Sequence, residues 1–160
     1  MNIDIRVLSD LEACGRISSC KDMGQFCVQI SKLYSILSSH RFSVPATKES
    51  LTVFFVHAGQ LVVALDKDET IVGMGMLILT YKGNETTARV EDVVVLESCR
   101  GLSVGERIMD ALVEIALCYQ VSHIDLTSRP DRVSANCLYE KLGFKKLDTN
   151  VRRLVLNTNT

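Results

Sequence analysis

A chain of 160 residues with 47% apolar side chains has the size and composition of one folded domain, which excludes a disordered chain. A formal net charge of −1 gives no reason to expect a polyanion such as nucleic acid as partner. No apolar run approaches the ~20 residues that span a bilayer, and the opening MNIDIRVLSD lacks a signal-peptide core, so no membrane association and a cytoplasmic location are expected.

Ile3 to Leu8 alternates apolar and polar residues as a half-buried strand does. Ser9 and Asp10 then offer a helix N-cap, and Leu11, Ile17, Phe26, Ile30, Leu33 and Leu37 fall on helical faces that Gly15 and Gly24 interrupt. SHRFSVPATKES (39–50) reads as a loop in which Pro45 biases Val44 toward an extended shape. TKESLTVFFVH (47–57) has strand-like composition, but its opening after Pro45 and the clearer strand that follows favour a helix. QLVVAL (60–65) and TIVGMGMLILTY (70–81) flank the turn DKDE, and KGNE separates them from TTARVEDVVV (86–95), which together predict an antiparallel meander.

The rhythm then changes. Val104 to Tyr119 is predicted helical, with Ile108, Leu112, Ile115 and Ala116 on one stripe. SHIDLTS (122–128) reads as a short buried strand, and DRVSANCLYEKL (131–142) as a helix stopped by Gly143. Phe144 to Leu147 and Val151 to Leu156 read as a closing hairpin. The expectation is a single α+β domain over residues 1–160, with a mixed, mostly antiparallel central sheet flanked by helices.

The chemistry concentrates in VEDVVVLESCRGLSVGERIMDAL (90–112). A buried strand through Val93, Val94 and Val95 runs into the turn Arg100, Gly101, Leu102, Ser103, Val104, Gly105, and from there into a helix. Glycines let backbone approach a ligand, and the first N–H groups of a helix lack internal partners, so such a turn can hold phosphate. In SANCLYEKLGF (134–144), Asn136 and Tyr139 are three apart and share one side of their helix. The six cysteines, at 14, 20, 27, 99, 118 and 137, form no CxxC pair and have no zinc spacing with histidine. They read as reduced thiols, mostly in the core, and no metal is expected.

In this order, the two stretches resemble the GNAT superfamily of acyl-CoA-dependent N-acetyltransferases. The second motif, LYEKLGF, follows the family's form, while Ser103 stands where the hallmark turn has its first glycine. The segment VEDVVV with CRG looks like the glucosamine-6-phosphate N-acetyltransferases, whereas DLTSRPDRVSANCLYEKLGF resembles a bacterial-type group of undefined substrate.

The resemblance implies acetyl-CoA as co-substrate and direct attack of an amine on its thioester. Backbone at Val93 to Val95 would hold the pantetheine arm and polarise the acetyl carbonyl, and the amides of Arg100 to Gly105 would hold the pyrophosphate. Asn136 would bind the pantetheine or phosphate region, and Tyr139 would protonate the leaving thiolate. The base would be Glu91, acting directly or through water, or Asp92. Regular alternation pairs Glu91 with the side of Val93 and Val95, and Asp92 with that of Val94, and a bulge would reverse this. The acceptor would be a small-molecule or protein amine, and the resemblance is compatible with a homodimer. The alternatives are a glucosamine-6-phosphate acceptor and a non-catalytic acyl-CoA-binding module.

Overall fold

The computed structural model describes residues 2–37, 45–154 and 156. The chain divides into two units, Met1–Thr127 and Ser128–Thr160.

In the first unit, strand β1 (Asp4–Leu8) leads to Asp10, whose carboxylate accepts the Ala13 N–H at 2.7 Å and caps helix α1 (Leu11–Gly15). Helix α2 (Met23–Leu37) starts afresh after an interruption spanning Arg16 to Asp22, as the two glycines imply, and buries Phe26, Cys27, Ile30 and Leu33 along one stripe. Residues 38–44, including Val44, lie outside the described residues. Helix α3 (Lys48–Val56) confirms the helical reading of 47–57. Its start is fixed by a reciprocal cap: the Ser50 N–H donates to Thr47 Oγ1 at 3.1 Å and the Thr47 N–H to Ser50 Oγ at 3.0 Å.

Strands β2 (Gly59–Leu65), β3 (Ile71–Lys82) and β4 (Glu85–Val95) form the expected antiparallel meander, with β1 paired to β2. Helix α4 (Val104–Cys118) is the crossover to β5 (Ile124–Asp125), which pairs parallel to β4. The sheet order is β1-β2-β3-β4-β5. One sheet face packs on α1 to α3 through Leu61, Val63, Met74 and Met76, joined by Phe26 and Ile30. On the other face Ile108 and Leu112 of α4 lie over Gly73 and Gly75. The fold class is the predicted one: α+β, a mixed sheet flanked by helices.

Two expectations are corrected. SHIDLTS supplies a strand of only two residues, with Ile124 half-buried and Asp125 exposed, so it is no buried strand. No strand occurs among the described residues of 144–156, so the closing hairpin is not formed there. Leu147, Val151, Leu154 and Leu156 are exposed: an apolar pattern gives a segment strand propensity, but a strand needs a ladder partner.

In the second unit, helix α5 (Val133–Lys141) ends at Gly143, whose φ of 88° is the left-handed conformation expected there. The Gly143 N–H donates to Glu140 O and the Phe144 N–H to Tyr139 O, each at 3.0 Å.

Cys14, Cys20, Cys27 and Cys99 are buried, Cys118 and Cys137 exposed, and all six are free. Burial pushes the Cys14 thiol up to about 12, which makes it unreactive. Among the described residues no helix is long and apolar enough to cross a membrane.

Glu69, in the β2–β3 turn, ties this turn to the segment after α1. Its carboxylate accepts from the Ser18 N–H at 2.7 Å, from the Ser18 hydroxyl and from Arg6. These donors hold the Glu69 carboxyl down at about 2. A carboxyl so depressed stabilises the fold fully above its unfolded pKa of ~4.3 and loses that contribution as pH falls through its folded value. The urea midpoint should therefore fall between pH ~5 and ~2, and Glu69→Gln should flatten that part of the profile. An unchanged profile in the variant would rule out this anchor.

A Cβ on Gly75 would lie 2.8 Å from Ile108 Cγ2 and 3.0 Å from Leu112 Cδ1. Gly75→Ala should destabilise the protein by about 1–3 kcal/mol in urea unfolding. Gly15→Ala, whose Cβ meets nothing within 4 Å at the end of α1, should be neutral or stabilising.

Candidate active site

Strand β4 carries one residue more than β3 at its centre. Met74 pairs with Val94 and Met76 with Glu91, so Gly75 alone faces both Asp92 and Val93. This is a β-bulge, and Asp92 takes the left-handed backbone it requires, with φ 52°. The bulge reverses the side-chain phase. Glu91 lies on the face of Met76, Met74 and Val94, toward α2, while Val93 lies beside Gly75 under α4. Regular alternation had placed Glu91 with Val93 and Val95. Gly75 leaves the space that this kink and the close approach of α4 need.

Just before the bulge β4 loses a neighbour. Its pairing with β5 consists of Ala88↔Ile124 and Arg89↔Asp125, so from Val90 onward it has no strand partner on that side among the described residues. The backbone groups of Val93 to Val95 that are not directed at β3 thus line an open sheet edge, the kind of edge that an extended chain of amides can join.

Glu91 is half-buried and accepts from Arg89 Nε. Arg89 also donates from Nη2 to Thr127 Oγ1 at 3.2 Å, which ties β4 to the chain leaving β5. Asp92 is exposed. From α2, the Tyr34 hydroxyl donates to Met76 Sδ at 3.4 Å, directly across the ladder from Glu91. Burial raises the Tyr34 phenol, and the Asp92 charge raises it further. The sequence reading missed Tyr34. Its only signal was a polar tip on the apolar stripe of α2, one turn from Ile30.

After β4, a single 3-10 turn (Glu97–Cys99) leads to the turn before α4. Arg100, Gly101, Leu102 and Ser103 are exposed, whereas Val104 is buried and anchors the helix start. Gly101 has φ 76° and Ser103 φ 56°. The Ser103 hydroxyl makes no cap hydrogen bond, so no side chain at the N-cap position covers the first N–H groups of α4. That donor set, with open space around Gly101 and Arg100 at its start, fits a pyrophosphate, and the free edge of β4 fits a pantetheine arm. The left-handed φ at position 103 explains why glycine suits it and why serine is costly there.

Tyr139 and Asn136 belong to the second unit. Tyr139 meets Phe144 edge-on, with ring centroids 6.1 Å apart. Desolvation raises its phenol, and the Arg132 charge opposes that. Asn136 donates from Nδ2 to Arg129 O at 3.0 Å and so holds the turn before α5. Ser128 Oγ is buried with no hydrogen-bond partner among the described residues. Those residues hold no cluster of metal-ligating side chains.

The sequence profile of the Acetyltransferase (GNAT) family matches residues 29–144. Among solved structures, an acetyltransferase from Trypanosoma brucei superposes with TM-score 0.73 at 22% identity, covering 96% of this chain and 100% of that one. An aminoglycoside acetyltransferase from an uncultured soil metagenomic sample gives TM-score 0.73 at 15% identity, over 96% of this chain and 95% of that one. A glucosamine-6-phosphate N-acetyltransferase from Arabidopsis thaliana gives 0.61 at 16% identity, over 96% and 99%. A search of curated sequences finds no match. At these identities the structures establish the fold that acetyltransferases share, and the profile establishes the family. The chain belongs to the GNAT acetyltransferase family, whose members generally use acetyl-CoA as co-substrate.

Ser103→Gly should relieve left-handed strain of about 1–2 kcal/mol, less the added entropy of the unfolded glycine, and raise the urea midpoint. Ser103→Val should lower it. A midpoint unmoved by either change would show that position 103 carries no strain.

Proposed function

We propose that this protein moves the acetyl group of acetyl-CoA to a primary amine by direct attack of the amine on the thioester. The reading is carried by one strand, on which the bulge at Asp92 and Val93, the end of β5 pairing and the acids Glu91 and Asp92 coincide. The bound coenzyme supplies an activated acyl group. Main-chain groups among Val93, Val94 and Val95 that point away from β3 hold its arm, and an N–H there donates to the carbonyl oxygen as negative charge develops. The amides of Gly101, Leu102, Ser103, Val104 and Gly105, with the Arg100 charge, take the pyrophosphate.

An alkylammonium has a pKa near ~10.4 and must lose a proton before it can attack. Glu91 removes it, directly or through a water, with Asp92 as the other acid in position to do so. Arg89 keeps the Glu91 carboxylate oriented. By the match of LYEKLGF to the family motif, Tyr139 returns a proton to the departing sulfur and Asn136 steadies the coenzyme's arm or phosphates. A raised phenol stays protonated at neutral pH, the form an acid must have. No acyl-enzyme is needed, so no cysteine acts as nucleophile.

Ser103 favours the second reading, an acyl-CoA-binding module without turnover, because its left-handed backbone and Cβ stand where the family's glycine would be. Thiol release from acetyl-CoA across a panel of amines separates the two. Glu91→Gln should lower kcat/KM by ~10²-fold or more, and Tyr139→Phe should lower turnover more than CoA affinity. Tight CoA binding without turnover of any amine would favour the module. Calorimetry showing no heat with either acetyl-CoA or CoA at millimolar concentration would remove both.

A further inference from the structure

Strands β4 and β5 part after one last rung, Arg89 opposite Asp125. Two residues further along β4 stands Glu91, and two residues further along the chain leaving β5 stands Thr127. Directly paired residues share a face of the sheet, and so do residues two apart on a regular strand. Arg89, Glu91 and Asp125 therefore share the α2 side. From the rung, the Arg89 side chain reaches both arms of the fork. Its Nε donates to the Glu91 carboxylate, and its Nη2 donates to Thr127 Oγ1 at 3.2 Å. The Asp125 carboxylate is turned to His123 instead, with Oδ2 3.8 Å from Nε2. Among the described residues no β4–β5 rung follows, so one guanidinium links, through side chains, two arms that the ladder no longer joins.

A guanidinium is planar, and its N–H donors diverge in a rigid fork. With one bond alone, to Glu91, the plane could swing about that contact and carry the carboxylate with it. Arg89 and Glu91 sit on the same strand, so their pairing fixes the carboxylate only against β4. The second bond leaves from a different nitrogen and ends on the other arm, which stops the swing. A base must lie within about 2.6–3.2 Å of the proton it removes, or one water away, and small misplacements of a reacting group cost rate.

Resting on the N-acetyltransferase reading above, with Glu91 as base, we infer that Thr127 is a positioning residue. Its hydroxyl, acting through Arg89, holds the Glu91 carboxylate at a fixed place in the fork between β4 and β5. Thr127 itself meets neither the coenzyme nor the acceptor in this role. Lysine at position 89 would keep the charge but has a single donor atom, so it could not reach both arms from divergent nitrogens.

Thr127 is exposed and lies beyond the last residue of β5, so its variants should fold. Thr127→Val keeps the shape and removes the acceptor oxygen. It should lower kcat about three- to tenfold with the best amine while the Kd for CoA stays within about twofold. Thr127→Ser, which keeps the hydroxyl, should restore kcat, and Arg89→Lys should lose at least as much as Thr127→Val. In a Glu91→Gln background Thr127→Val should change nothing further, because the group it positions is gone. An unaltered kcat in Thr127→Val, no restoration by serine, or an equal loss in the Glu91→Gln background would each overturn the inference. A second readout needs no turnover: the Arg89 Nε–H resonance of ¹⁵N-labelled protein saturated with CoA. Held at both ends, it should be sharp and slow to exchange with water, and Thr127→Val should broaden or remove it while Thr127→Ser keeps it. Absence of turnover with every amine would count against the proposed reaction, and that resonance would then decide the placement alone. Its loss in Thr127→Val supports the role of Thr127, and a signal unmoved by that change overturns it.

Discussion

The site depends on one extra residue in β4. A regular strand opposite Gly75 would keep its ladder and send Glu91 toward α4. With Asp92 in left-handed backbone, the strand bends and the phase reverses, so Glu91 faces α2. The glycine opposite is part of the same device. It sits under Ile108 and Leu112 with no room for a Cβ, so α4 comes down close to the sheet where β4 bends. A bulge in one strand and a missing side chain in the next are two halves of one packing solution.

Two left-handed non-glycine residues flank this stretch of β4. Asp92 and Ser103, both non-glycine residues with positive φ, lie on either side of the valines that face the open edge. Such conformations persist where surrounding packing overdetermines them. Val94 and Val104, both buried, do this here, the first against the α2-side core and the second at the start of α4. Buried anchors hold the backbone, while the polar groups around them stay available to a ligand.

Periodicity made most of the fold legible. The meander, the two interrupted helices, the α4 stripe and the Gly143 stop all follow from local pattern, and the Thr47–Ser50 cap decided the one ambiguous segment in favour of helix. Alternation failed at Glu91 because a period of two presumes an unbroken ladder, and nothing in VEDVVV marks where a residue will be inserted. It failed again toward the C-terminal end, where Leu147 and Val151 have strand-like spacing but no partner strand among the described residues. A partner is a tertiary fact that a segment does not encode. Tyr34 stayed hidden for the same reason: its place against Met76 comes from the packing of α2 on β3, some forty residues away in sequence.

The two ends of the proposed reaction are recognised by different parts of the molecule, which explains why they differ in legibility. The coenzyme is met by main chain: an open strand edge and an uncapped helix start. These need only the right φ values and small residues, so they leave a compact trace in the sequence around Arg100 to Gly105. The acids proposed to act on the acceptor, Glu91 and Asp92, owe their facing to a bulge that appears only in the folded ladder. Structures with TM-scores of 0.61 to 0.73 to this one retain only 15 to 22% identity, so a backbone of this shape tolerates nearly free exchange of side chains. Acceptor choice can therefore change while the coenzyme's backbone grip persists.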